Sequence, residues 1–137
     1  MITPEIKDKI LSFIVLKDKI RFEIRIESLA NELDISPDII SAIVQYFSRI
    51  GLLQINKEMG FMGKETFDIT MNVEAYDLYH EGGFTFQEEI LKAQLNKLDE
   101  ELSLLKKKTT DSTLSTIEKM ISIVGTILKS LPLDNRN

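Results

Sequence analysis

The chain has 137 residues, 43% of them apolar and 28% charged, the balance of a folded domain and not of a disordered one. It holds no cysteine and a single histidine, His80, which excludes disulfides, thiolate catalysis and Cys- or His-rich metal centres. The net charge of −5 is uneven: residues 1–83 carry 9 Lys+Arg against 14 Asp+Glu, whereas residues 84–137 carry 8 of each.

Thr3-Pro4 opens the first helix, with threonine as cap and proline where no N–H is needed. Ile6, Ile10, Phe13 and Ile14 give it an apolar stripe, and it is expected to end near Lys17-Asp18. Residues 20–26 then alternate, with Ile20, Phe22, Ile24 and Ile26 set against Arg21, Glu23 and Arg25, which predicts a half-buried strand. Residues 27–34 return to helix on Leu29, Ala30 and Leu33, and Asp34-Ile35 reads as a tight turn. Ser36-Pro37 starts a third helix carrying Ile40, Ile43, Val44, Phe47 and Ile50, and Gly51 supplies its left-handed stop.

Residues 52–71 read as a β-hairpin. Leu53 and Ile55 alternate with polar residues on one arm, and Phe67, Ile69 and Met71 do so on the other. The stretch from Lys57 to Lys64, with two glycines, reads as its loop. Residues 72–81 form a short helix with Val73, Tyr76 and Tyr79 inward. Gly82-Gly83 breaks the chain, giving domains of 1–83 and 84–137.

The second domain has heptad texture. Leu91, Leu95, Leu98, Leu102 and Leu105 follow a and d spacing, as do Leu114, Ile117, Ile121, Val124 and Leu128. A short polar break at residues 108–112 separates the two runs, which predicts an antiparallel helical hairpin of coiled-coil type. Two such hairpins can bury their seams as a four-helix bundle, so these ten residues are the expected dimerisation set and a homodimer the expected state. The fold class is thus mainly α with a small hairpin, α+β overall.

The run Glu27–Leu52 is similar to a helix-turn-helix, with small Ala30 at the helix approach, Leu33 and Ile35 flanking the turn, and Gly51-Leu52 leading into the hairpin. Residues 3–81 as a whole resemble the winged-helix domains of MarR-type and related bacterial transcription regulators. The resemblance implies that the helix of residues 37–50 enters a DNA major groove while the hairpin, as wing, meets the minor groove or phosphates. Base edges call for long donors and acceptors. On the outward positions these are Gln45 and Arg49, with Ser41 a weaker contact, and Lys57 and Lys64 bracket the wing. The Phe61-Met62 tip either presses into a minor groove or packs back on protein. Lys7, Lys9, Lys17, Lys19, Arg21 and Arg25 either add phosphate contacts or pair with Asp8, Asp18 and Glu23.

Two features depart from the family. Asp38 stands at the end of the helix nearest DNA, and Thr70 is not followed by the usual glycine spacing. Ile39, Ala42 and Tyr46 make a second apolar stripe, which suits a protein partner or is covered by the chain itself. The alternative to DNA binding is therefore a winged-helix module that contacts protein. No phosphate-binding glycine loop, nucleophile elbow or paired-acid signature is present, so no enzyme activity and no cofactor are expected. No membrane attachment is expected, and because Met1–Glu5 lacks a signal-peptide profile the expected location is cytoplasmic.

Overall fold

The computed structural model describes residues 2–61 and 64–131. Among them are six helices and a three-stranded antiparallel sheet, an α+β arrangement. In chain order these are α1 (Pro4–Val15), β1 (Arg21–Arg25), α2 (Ile26–Leu33), α3 (Pro37–Arg49), β2 (Leu53–Phe61), β3 (Lys64–Met71), α4 (Val73–His80), α5 (Gly83–Lys108) and α6 (Leu114–Ser130). The chain divides into two compact units, Met1–Phe84 and Thr85–Asn137. No helix among the described residues is long and apolar enough to cross a membrane.

In the first unit the local signals act as chemistry dictates. Thr3 accepts the N–H of Ile6 at 3.3 Å and Pro4 begins α1. Asp34, at φ 55°, ends α2 in the left-handed conformation more often taken by glycine, and Pro37 starts α3 three residues on. Gly51, at φ 86°, ends the α3 segment, and its carbonyl accepts from the Asn72 side chain at 2.9 Å. The core forms where α1 and α3 meet the inner face of the sheet, around Ile10, Ile14, Val44, Phe47, Phe67 and Ile69, all fully buried.

The sheet order is β1-β3-β2, so the last strand in sequence is the central one. Three details differ from the alternation rules. Ile20 lies outside the strand and is 67% exposed, because β1 begins one residue later and Phe22 and Ile24 supply the inward positions. In α4 the buried residues are Ala75 and Leu78; Val73 points to solvent and Tyr76 and Tyr79 are half-buried. The expected loop of residues 57–64 is largely strand, since β2 runs to Phe61 and β3 starts at Lys64. A β-bulge makes this possible, with Ile55 opposite Ile69 and Lys57 opposite Asp68.

α5 begins at a tight junction. Gly82 and Gly83 have φ of 105° and 75°. The Asp8 carboxylate on α1 accepts the Phe84 N–H at 2.7 Å, capping one of the unpaired donors of the α5 start. The second unit is the pair α5 and α6. Its covered seam is Leu102, Ile117 and Val124, with Leu95, Ile121 and Leu128 half-buried around it. Lys106 and Glu118 pair across it at 3.8 Å.

Candidate functional site

α3 holds its candidate residues by burying the other side. Ile40, Ile43, Val44 and Phe47 are locked in the core. Ser41, Gln45 and Arg49 then fall at four-residue intervals on one outward stripe. Gln45 and Arg49 are exposed, and Ser41 is half-buried. The Ser41 hydroxyl donates to Glu65 Oε2 at 3.1 Å, which ties the first half of α3 to the start of β3. Asp38 and Ala42 are also exposed.

The pleat of the hairpin decides which charges accompany this stripe. Phe67, Ile69 and Met71 are buried, so Glu65 shares their face. Opposite Phe67 and Glu65 stand Glu58 and Gly60, on the same face. The hairpin therefore presents carboxylates, Glu58 and Glu65, on its α3 side. Lys57 and Lys64 lie on the outer face, across from or next to Asp68 and Thr66, with Arg21 and Arg25 of β1. The five residues expected to meet DNA are thus split between two surfaces, three on α3 and two behind the wing. Two causes produce the split: the bulge shifts the alternation by one residue after Ile55 and sends Lys57 outward, while Lys64 faces outward by the plain alternation of β3. Of the expected wing tip, Met62 and the side chain of Phe61 lie outside the described residues.

The outer face is an ionic surface. Arg21 forks onto Asp68, Nε to Oδ1 at 3.3 Å and Nη2 to Oδ2 at 2.8 Å. Beside it the Asn56 amide donates to Thr70 Oγ1 at 2.7 Å. The Arg21 hydrogen bond holds the Asp68 carboxyl below the usual carboxylate range, with Lys57 adding a smaller pull. Arg21 is exposed and Asp68 half-buried, so the pair sits at the surface and its weight in stability is slight. Because the folded value is the depressed one, the pairing is fully present above the ordinary carboxylate range and fades as pH falls through the lowered value. An NMR acid titration is expected to give Asp68 a midpoint below the ordinary carboxylate range, and Arg21→Ala is expected to raise it.

Other cations have aromatic partners. Lys7 Nζ sits 4.9 Å from the Tyr46 ring centre and 5.2 Å from that of Phe84, and Lys17 Nζ sits 4.5 Å from Phe13. Tyr46 in turn packs against Phe47 and Phe84 at 6.3 and 6.4 Å. The stripe proposed for a protein partner is therefore partly covered: Ile39 and Tyr46 are half-buried on the core, and Ala42 is its exposed member. His80 stands edge-on to Tyr79 at 5.6 Å.

One grouping escaped the sequence. Arg25, Asn31 and Lys64 line a cleft between α2 and the start of β3, with Glu27 and Glu65. The pairing of β1 with β3, which sets Arg25 opposite Thr66, brings these residues together from distant parts of the sequence, and no local pattern marks it. The ten heptad residues also divide. Leu95, Leu102, Ile117, Ile121, Val124 and Leu128 form the hairpin's own seam, and Leu114 is half-buried. Leu91, Leu98 and Leu105 remain exposed. No protein-family model matches the chain, and no curated protein matches its sequence.

Proposed function

We propose that the first unit is a winged-helix domain that binds double-stranded DNA, without enzymatic activity, as part of a dimeric transcription regulator. The observation that carries this reading is the Ser41–Gln45–Arg49 stripe on the exposed side of α3, directly after the Asp34 turn. Gln45 has the geometry to read adenine and Arg49 to read guanine in a major groove. The cleft of Arg25, Asn31 and Lys64, which also holds Glu27 and Glu65, offers phosphate contacts on the second of the two surfaces. Glu65 works against the same contacts, since it engages Ser41 and adds negative charge near the phosphates.

The test is a fluorescence-anisotropy titration of mixed-sequence duplex at about 50 and 200 mM salt. Binding is expected to weaken at least about tenfold across that range, as counterion release requires of even a few phosphate contacts. Arg49→Ala and Lys64→Ala are expected to weaken it several-fold, and Glu65→Gln to strengthen it. Absence of binding at the lower salt sinks the proposal. The second reading is a winged-helix module that contacts protein without binding DNA, favoured by the three carboxylates Asp38, Glu58 and Glu65 around α3. A basic partner surface suits it, and charge reversal at Glu65 would then weaken the complex.

A further inference from the structure

We infer that a second copy of this chain packs on the exposed face of the α5–α6 hairpin, with α5 antiparallel to its counterpart and the two-fold axis at Leu98. The inference deepens the dimer part of the reading above and does not depend on DNA being bound.

The hairpin covers only one of its two apolar surfaces. Leu91, Leu98 and Leu105 recur every seven residues along α5, and Met120, Ile123 and Ile127 form a stripe on α6; all six are between 38% and 59% exposed. On each helix the exposed stripe is rotated from the covered seam in the same sense. In an antiparallel pair, equal sense places both stripes on the same side of the hairpin, as one continuous face. The six side chains leave roughly 500 Å² of apolar surface, in the range of about 300–600 Å² of a monomer's largest apolar patch, which often marks an interaction site.

The face is self-complementary in a way that specifies its occupant. About a two-fold axis through Leu98, Leu91 meets the counterpart of Leu105, and Leu98 meets itself. The same operation brings Lys97 beside the counterpart of Glu101, twice by symmetry, and the Glu88-Glu89 end of one α5 towards the Lys106–Lys108 end of the other. The Lys106–Glu118 pair fixes the stagger of the hairpin, and counting eight residues from each puts Leu98 level with Thr126. The α6 stripe of Met120, Ile123 and Ile127 therefore runs past the axis with its centre about two to three residues away, and the contact between the copies is centred on α5. The second unit carries equal numbers of acidic and basic residues, so no net repulsion opposes the association.

The experiment is sedimentation equilibrium on the full chain, read against the 15.7 kDa chain mass. The wild type is expected at twice that mass at micromolar concentration. Leu98→Asp sets two carboxylates against each other at the axis and is expected to weaken the dimer on the order of 100-fold, with helical circular dichroism unchanged because Leu98 is exposed. Lys97→Glu is expected to weaken it and Lys97→Glu with Glu101→Lys to restore it. In a chain with no native cysteine, Leu98→Cys is expected to form an interchain disulfide on oxidation. A monomer at high micromolar concentration overturns the inference, and so does a dimer indifferent to Leu98→Asp. A dimer that ignores DNA refutes only the DNA reading, and a DNA-binding monomer refutes only this one.

Discussion

Phe47→Ala is expected to destabilise the first unit by about 3–5 kcal/mol. Phe47 is completely buried, and its ring lies nearly parallel to Phe84 with centres 5.5 Å apart. Val44 and Ile40 hold α3 one and two turns away, both fully buried, so the backbone has little freedom to close the void. Removing the ring deletes its apolar surface and strands Phe84, on whose face Lys7 rests. Against a total stability of about 5–15 kcal/mol this is a large share. The measurement is urea unfolding followed by tyrosine fluorescence. The three tyrosines, Tyr46, Tyr76 and Tyr79, all belong to the first unit, and the chain has no tryptophan to obscure them. A loss below about 1 kcal/mol would show that the site collapses and that Phe47 does not organise the core.

Gly83→Ala is expected to cost about 2–3 kcal/mol, from two causes that the same unfolding assay separates. A side chain at φ 75° is strained by about 1–2 kcal/mol. The new Cβ would also meet the Asp8 carboxylate and displace it from the Phe84 N–H, losing a cap of about 1 kcal/mol. Asp8→Ala alone is expected to remove the cap without adding backbone strain at residue 83. Because Gly83→Ala already disrupts that cap, the double variant is expected to lose less than the sum of the two single losses. Strict additivity would mean that the alanine methyl leaves the cap intact.

The elements legible in the sequence were those set by local signals. Thr3-Pro4, Ser36-Pro37 and Gly51 mark helix ends because capping, proline geometry and positive φ act within a few residues. The 53–71 hairpin was visible as alternation, but the bulge after Ile55 was not, since nothing in Gln54-Ile55-Asn56-Lys57 announces an extra residue. Without it, the position of Lys57 on the face opposite Ile55 could not be read from the alternation. In α4 the two tyrosines outweighed Ala75 in a reading by hydrophobicity, yet the close approach to α1 takes the small residue. The heptads found one seam. A second face shows as Met120, Ile123 and Ile127 only once Ile117 and Val124 are known to be covered. Asp8 as the cap of a helix more than seventy residues on has no local signature at all.

The order β1-β3-β2 has a consequence for how the chain assembles as it leaves the ribosome. β1 and β2 both pair only with β3 in this sheet, and Arg21 must wait for Thr70 to be made. Until then two strands have open edges, and β1 and α2 are tethered to nothing but their neighbours in sequence. Pairing of β1 with β3 spans most of the unit and is expected to be slower than the local β2–β3 hairpin, by loop entropy. The helices can form ahead of it, but the inner side chains of the sheet stay wet until the last strand slots between the first two. A nascent chain stalled just short of β3 would expose those edges to its neighbours on the same polysome.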